Sequence, residues 1–278
     1  VQGVPHRVSE QDLHFAIKNV SDDERTLHIT RTSWADDIVT AADVTAMQEF
    51  RTLFGSEVLA PGAEFSIRNM VFLFSDVVES TAMYERVGDA KAFALVRDHF
   101  DVMEEVYSKH RGALVKTIGD AVMAVFRHPE DALQAALEMH YAAQEMLDEQ
   151  GERPIALKIG LHAGPCIAMQ ANGKLDYFGT TVNKAARVQG VAKAHEVAVS
   201  QELINSTAAQ TWFALHGLEP EEKSHNLKGL AGNNKIYFVR VERAPKANTR
   251  EIARAHLDRV DRSSIYGRMT TIRNRPTN

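Results

Sequence analysis

Apolar and polar positions change period several times along the chain. Between residues 12 and 31 they alternate: Leu13, Phe15 and Ile17 point one way, His14 and Lys18 the other, and Leu27 and Ile29 resume the pattern after NVSDDER. A period of two around an Asn/Ser/Asp turn predicts an antiparallel hairpin. Two strands alone are not stable in water, so residues 1–37 read as a hairpin belonging to an accessory domain. Residues 38–66 switch to a helical period. Thr40 and Asp43 have capping-box spacing, and Val44, Met47, Phe50, Leu53 and Phe54 recur at helical intervals, giving a linker helix that ends at Leu59-Ala-Pro-Gly-Ala. That face fits either an ordinary packed helix or a stalk that carries a signal into the segment C-terminal to it.

Residues 67–243 alternate between strand-like and helix-like stretches. VFLFSDV is an apolar strand, and Met70 to Phe74, at its start, is the most apolar short run. Thr81 to His110 reads as one long helical stretch. ALVKTI and AVMAVF are strands joined at Gly119-Asp120, a hairpin signal. Pro129 to Gln150 is a helix with Ala132, Ala135, Ala136 and Met139 on one side, and IALKIGLHAG is a strand. The order predicts an α+β fold: a ferredoxin-like βαββαβ core with helices on one face of its sheet. An additional C-terminal helix, near Thr181–Val191, and further strands ending in KIYFVRVE complete it. Residues 244–278 are basic, with Lys246, Arg250, Arg254, Arg259, Arg262, Arg268, Arg273 and Arg275. They read as a solvated helix and a frayed end.

Composition narrows the function classes. The 278 residues make one large domain or two modest ones. A net charge of −5 gives no footprint for nucleic acid or a membrane surface. No apolar run approaches the roughly 18 residues of a membrane span, and no signal peptide is evident. The lone Cys166 cannot form an internal bridge, which fits a reducing, cytoplasmic setting. The chain opens on Val1 rather than Met, as a piece of a longer protein would.

Two acidic residues interrupt stretches that otherwise read as core. Asp76 ends VFLFSD, and Asp120 sits in the turn of KTIGDAVMAVF. A buried carboxylate is costly unless paired or metal-bound. In a βαββαβ sheet the end of the first strand and the tip of the hairpin lie side by side, and two oxygen donors there suit Mg²⁺ or Mn²⁺. Turn and cap roles, common for Asp, fit equally well. The sequence contains no GxxxxGK[ST] loop, no GxGxxG after a strand and no HExxH. His162 in LHAG reads as structural.

Four blocks, FSDVVEST, LVKTIGDAVMAVF, IGLHAGP and LDYFGTTVNKAARV, resemble the class III nucleotidyl cyclases in order and spacing, over about residues 67–243. The resemblance implies that Asp76 and Asp120 are metal carboxylates and that the Val77 carbonyl is a further metal contact. It implies two Mg²⁺ or Mn²⁺ ions per site. Lys116 and Asp176 match the pair that reads adenine, Asn183 the residue that orients the ribose, and Arg187 the one that stabilises the transition state. Lys228, in NLKGLAG, matches a phosphate-binding lysine; Leu230 stands where many relatives have a second basic residue.

The implied reaction is ATP to 3′,5′-cyclic AMP and pyrophosphate. Lys and Asp at the base positions favour adenine: Asp176 accepts from the N6 amino group, whereas guanine presents an oxygen there. The alternatives are a guanylyl cyclase and a catalytically silent cyclase-like domain. The family works as dimers with sites at the subunit interface. This chain holds both sets of residues, so the expected assembly is a symmetric homodimer, under the control of an upstream regulatory domain.

Overall fold

The computed structural model describes residues 39–55, 59, 63–146, 155–230 and 232–242. The hairpin expected over 1–37 and the basic tail at 244–278 lie outside them. The described elements are α1 (Ala41–Thr45), α2 (Gln48–Phe54), β1 (Glu64–Val77), α3 (Ser80–Val87), α4 (Asp89–Lys109), β2 (Gly112–Ile118), β3 (Ala121–Phe126), α5 (Pro129–Glu145), β4 (Leu157–Ala171) and β5 (Lys174–Phe178). They continue with α6 (Thr180–Gln189), β6 (Glu196–Ser200), α7 (Gln201–Ile204), α8 (Thr207–His216), β7 (Glu221–Asn226) and β8 (Asn233–Arg240). The strands lie in the order β2-β3-β1-β4-β6-β8-β7, with β5 paired to β4 off this path. From β1 to β4 the chain traces the expected βαββαβ unit.

Alternation along β1 builds two cores. Val71, Leu73 and Val77 face a cluster with Met103 of α4, Ala132 and Met139 of α5, and Trp212 of α8. Met70, Phe72 and Phe74 face another, with Met123 and Val125 of β3, Ala42 of α1 and Ala185 of α6. Helices therefore cover both faces of the sheet rather than one. The unit's own helices take one face, and α1 and α6, outside the unit, take the other. On α5, the expected stripe of Ala132, Ala135, Ala136 and Met139 is fully buried.

The linker differs most from expectation. Its single helix is two short ones, broken at Ala46 and Met47, and β1 already begins at Glu64. The capping box is present: the Asp43 backbone N–H donates to Thr40 Oγ1 (3.3 Å), and the Thr40 N–H donates to Asp43 Oδ2 (2.8 Å). Yet the buried residues are Ala42, Thr45 and Ala46, while Met47, Leu53 and Phe54 of the expected apolar face are exposed. The small residues let the helix sit close to the sheet. The expected helix from Thr81 to His110 is also two, because Gly88 adopts φ +83°, which a β-carbon disfavours.

Helix α6 runs along β4 with almost nothing between them. A β-carbon on Gly160 would fall 2.2 Å from the Gln189 backbone nitrogen, and one on Gly164 would fall 2.8 Å from Thr181 Oγ1. The spacing matches: from 181 to 189 a helix rises about 12 Å, and from 160 to 164 a strand advances about 13 Å. GLHAG is thus the seat of a helix. His162, between the two glycines, is buried, bonds Ser200 Oγ through Nδ1 (2.7 Å), and is pushed by burial to a pKa of about 4.

Candidate active site

Asp76 lies one residue from the end of β1, on the same side as Phe72 and Phe74. Asp120 occupies the two-residue turn between β2 and β3, where Gly119 takes φ +64°. The antiparallel register pairs Ser75 with Val122; continued by two residues it sets Val77 opposite Asp120. Both carboxylates therefore emerge at the same end of neighbouring strands. Asp120 Oδ2 is buried and has no hydrogen-bond partner among the described residues, a costly state for a carboxylate oxygen. Asp76 Oδ2 pairs with Lys158 Nζ at 2.7 Å, directly across in β4. The orphaned oxygen, the second carboxylate and the Val77 carbonyl as a candidate third donor make an all-oxygen set that fits Mg²⁺ or Mn²⁺.

The structure joins Lys116 and Asp176, sixty residues apart, at 2.6 Å. Asp176 also accepts the Tyr177 backbone N–H through Oδ1 (2.8 Å), which fixes its carboxylate. Its side chain is 14% exposed against 41% for Lys116, so the pair presents a held acid and a reachable amine. Lys116 follows a bulge in β2, where the register with β3 shifts between Leu114 and Lys116. Asp176 sits on β5, opposite Met169 near the end of β4.

Asn183 and Arg187 stand on the exposed face of α6, one turn apart, while Thr181, Ala185 and Val188 form its buried face. Lys228 is exposed in the turn after β7, beside buried Leu227 and before Gly229 at φ +80°. Among the described residues, no hydrogen bond or ion pair joins Asn183, Arg187 or Lys228 to the carboxylates or to the Lys116–Asp176 pair. Two contacts carry little or no trace in the sequence. Lys158, the ion partner of Asp76, is signalled only by cross-strand register. Arg51, which reaches the strands of the Lys116–Asp176 pair, has no sequence signal.

A sequence model of the adenylate and guanylate cyclase catalytic domain matches residues 64–240, and the chain belongs to that family. It is similar to an adenylate cyclase of Anabaena cylindrica, 28% identical over 201 residues, covering 67% of this chain and 39% of that protein. It is 30% identical to an adenylate cyclase of Lachancea kluyveri over 182 residues, covering 58% and 10%. It is 29% identical to the human guanylate cyclase soluble subunit beta-2 over 143 residues, covering 48% and 23%. The chain thus spans between a tenth and two fifths of the length of these relatives.

Solved structures agree on the fold. The catalytic core of a rhodopsin-guanylyl cyclase with converted specificity, in complex with ATPαS, aligns with TM-score 0.56 at 23% identity, covering 64% of this chain and 98% of that one. The adenylyl cyclase CyaB from P. aeruginosa aligns with TM-score 0.52 at 20% identity, covering 66% and 98%. No helix among the described residues is long and apolar enough to cross a membrane.

Proposed function

We propose that this domain is an adenylyl cyclase that converts ATP to 3′,5′-cyclic AMP and pyrophosphate at sites shared between two copies of the chain. The observation that carries the choice of base is the Lys116–Asp176 contact at 2.6 Å. An anchored carboxylate accepts from the adenine amino group, and the ammonium beside it donates to the ring nitrogen next to that group. Guanine offers an oxygen and an N–H in those places, which leaves Asp176 facing an acceptor. Since relatives of both kinds match this chain at similar identity, the choice of base rests on these two side chains.

In the reaction the ribose 3′-oxygen bonds to the α-phosphorus, the bond from that phosphorus to the β-phosphate oxygen breaks, and the hydroxyl proton passes to solvent. Asp76 and Asp120 would hold Mg²⁺ or Mn²⁺, which when bound lowers the pKa of the 3′-hydroxyl and neutralises phosphate charge. Asn183 would orient the ribose. Arg187 would donate its planar fork to phosphate oxygens as charge develops, and Lys228 would bind the triphosphate. Asn183 and Arg187 face solvent on α6, unconnected to the carboxylates of their own chain. That supports a homodimer in which one copy lends Asp76 and Asp120 and the other lends the remaining residues. Ile118, Ile167 and Phe178, exposed apolar residues on β2, β4 and β5, are candidates for the seam. The test is purified protein incubated with ATP or GTP and Mn²⁺, with product identification by mass. Cyclic AMP from ATP at a rate well above cyclic GMP from GTP is expected, and the opposite ranking would reverse the reading.

A further inference from the structure

Among the described strands β2 and β5 are both edges: β2 ends the sheet order, and β5 pairs there only with β4. An edge residue presents its backbone N–H and C=O to the same side with no strand to meet them. Two such residues are satisfied from the helix pair α1–α2. On β2, the Leu114 N–H donates to Gln48 Oε1 (2.9 Å), and its carbonyl accepts from Arg51 Nε (2.9 Å). On β5, the Leu175 N–H donates to the Gly55 carbonyl (3.0 Å), and its carbonyl accepts from Arg51 Nη2 (2.6 Å). One guanidinium therefore spans both edges. It lies over the Tyr177 ring at 5.5 Å, and the Tyr177 hydroxyl donates to the Thr45 carbonyl (3.0 Å). Leu114 is two residues before Lys116, and Leu175 is one before Asp176.

We infer that Arg51 is a positioning residue that ties the edges of β2 and β5 and so sets the spacing of Lys116 and Asp176. The inference rests on the reading of that pair as the base pocket. A lysine at 51 keeps the charge but loses the fork that reaches two carbonyls at once. Whatever displaces α1–α2 then loosens base recognition and leaves the carboxylate end of the site as it was.

The experiment uses the full chain, with steady-state kinetics for ATP and GTP in Mn²⁺ and calorimetric binding of both nucleotides. Arg51→Lys is expected to raise the ATP KM about tenfold and to cut ATP-over-GTP discrimination by a similar factor, the scale of one lost charge-assisted hydrogen bond. Its kcat at saturating ATP should stay within about threefold of wild type. Gln48→Ala, which removes one bond to Leu114, should move the same quantities by less, and it serves if Arg51→Lys fails to fold. In a Lys116→Ala background, Arg51→Lys should add nothing further. Additive losses, or a fall in kcat with KM and base choice unmoved, would overturn the positioning role alone. If Lys116→Ala itself leaves KM and base choice unchanged, the base-pocket reading fails first, and the inference with it.

Discussion

The two ends of the candidate site are built by different means. At the carboxylate end, Asp76 and Asp120 are set by local rules: a strand that stops and a two-residue turn, brought together by the register of adjacent strands. One oxygen there is left without a partner. At the other end, Lys116 and Asp176 are sixty residues apart in the chain and meet between two strands whose edges Arg51 also bonds. The first end is electrostatically incomplete, and the second has its charges paired. On the proposed reading, such a domain keeps its chemistry fixed and leaves its grip on the nucleotide adjustable.

The largest test of the contrast is at the carboxylate end. Asp76→Ala should lower turnover with ATP and Mn²⁺ at least about a thousandfold. Calorimetric binding of ATP should change far less, and the sedimentation coefficient should match that of the wild type. Equal losses in binding and turnover would mean that the two ends are not separable. At the base end, Lys116→Glu combined with Asp176→Cys should shift ATP-over-GTP preference about a hundredfold toward GTP, from two contacts of about 1–3 kcal/mol each. Competition between the two nucleotides reads it directly.

Smaller effects probe what the ends share. Gly160→Ala forces a β-carbon to 2.2 Å from the Gln189 backbone. It should cost about 1–3 kcal/mol, seen as a lower midpoint in thermal melting, and should reduce activity by shifting α6. The mildest test concerns acid. Burial holds His99, His140 and His162 at pKa values near 4, below the ordinary 6.5. Between those values the unfolded chain binds more protons than the folded one, so stability should fall as pH drops from about 6.5 toward 4. Neither ring nitrogen of His99 has a hydrogen-bond partner. His99→Leu should therefore flatten the midpoint-against-pH curve by about a third without moving KM. A change in KM would tie that helix to the base end after all.

The two ends also differ in how far the sequence revealed them. VFLFSD and the Gly-Asp turn announced their positions through apolar runs and turn chemistry, which depend on near neighbours. Residues alone left Asp76 and Asp120 open between turn roles and metal, and Lys116 and Asp176 drew attention only through family resemblance. Arg51 gave no signal, since its partners are backbone atoms of Leu114 and Leu175, whose identity is immaterial to the contact. The same cause explains the misread linker face. Spacing marked Met47, Leu53 and Phe54 as buried, but the helices dock through small residues and polar side chains on strand edges. β7, EEKSHN, offered no apolar alternation because it is an outer strand held by backbone pairing with β8.

Gly160 and Gly164, beneath α6, constrain any motion of Asn183 and Arg187. At Gly160 the strand meets the Gln189 backbone and at Gly164 only the short Thr181 side chain, which leaves α6 little room to roll or slide on β4. Asn183 and Arg187 therefore travel with the sheet beneath them, and in the proposed homodimer their on–off control would come from turning one copy against the other.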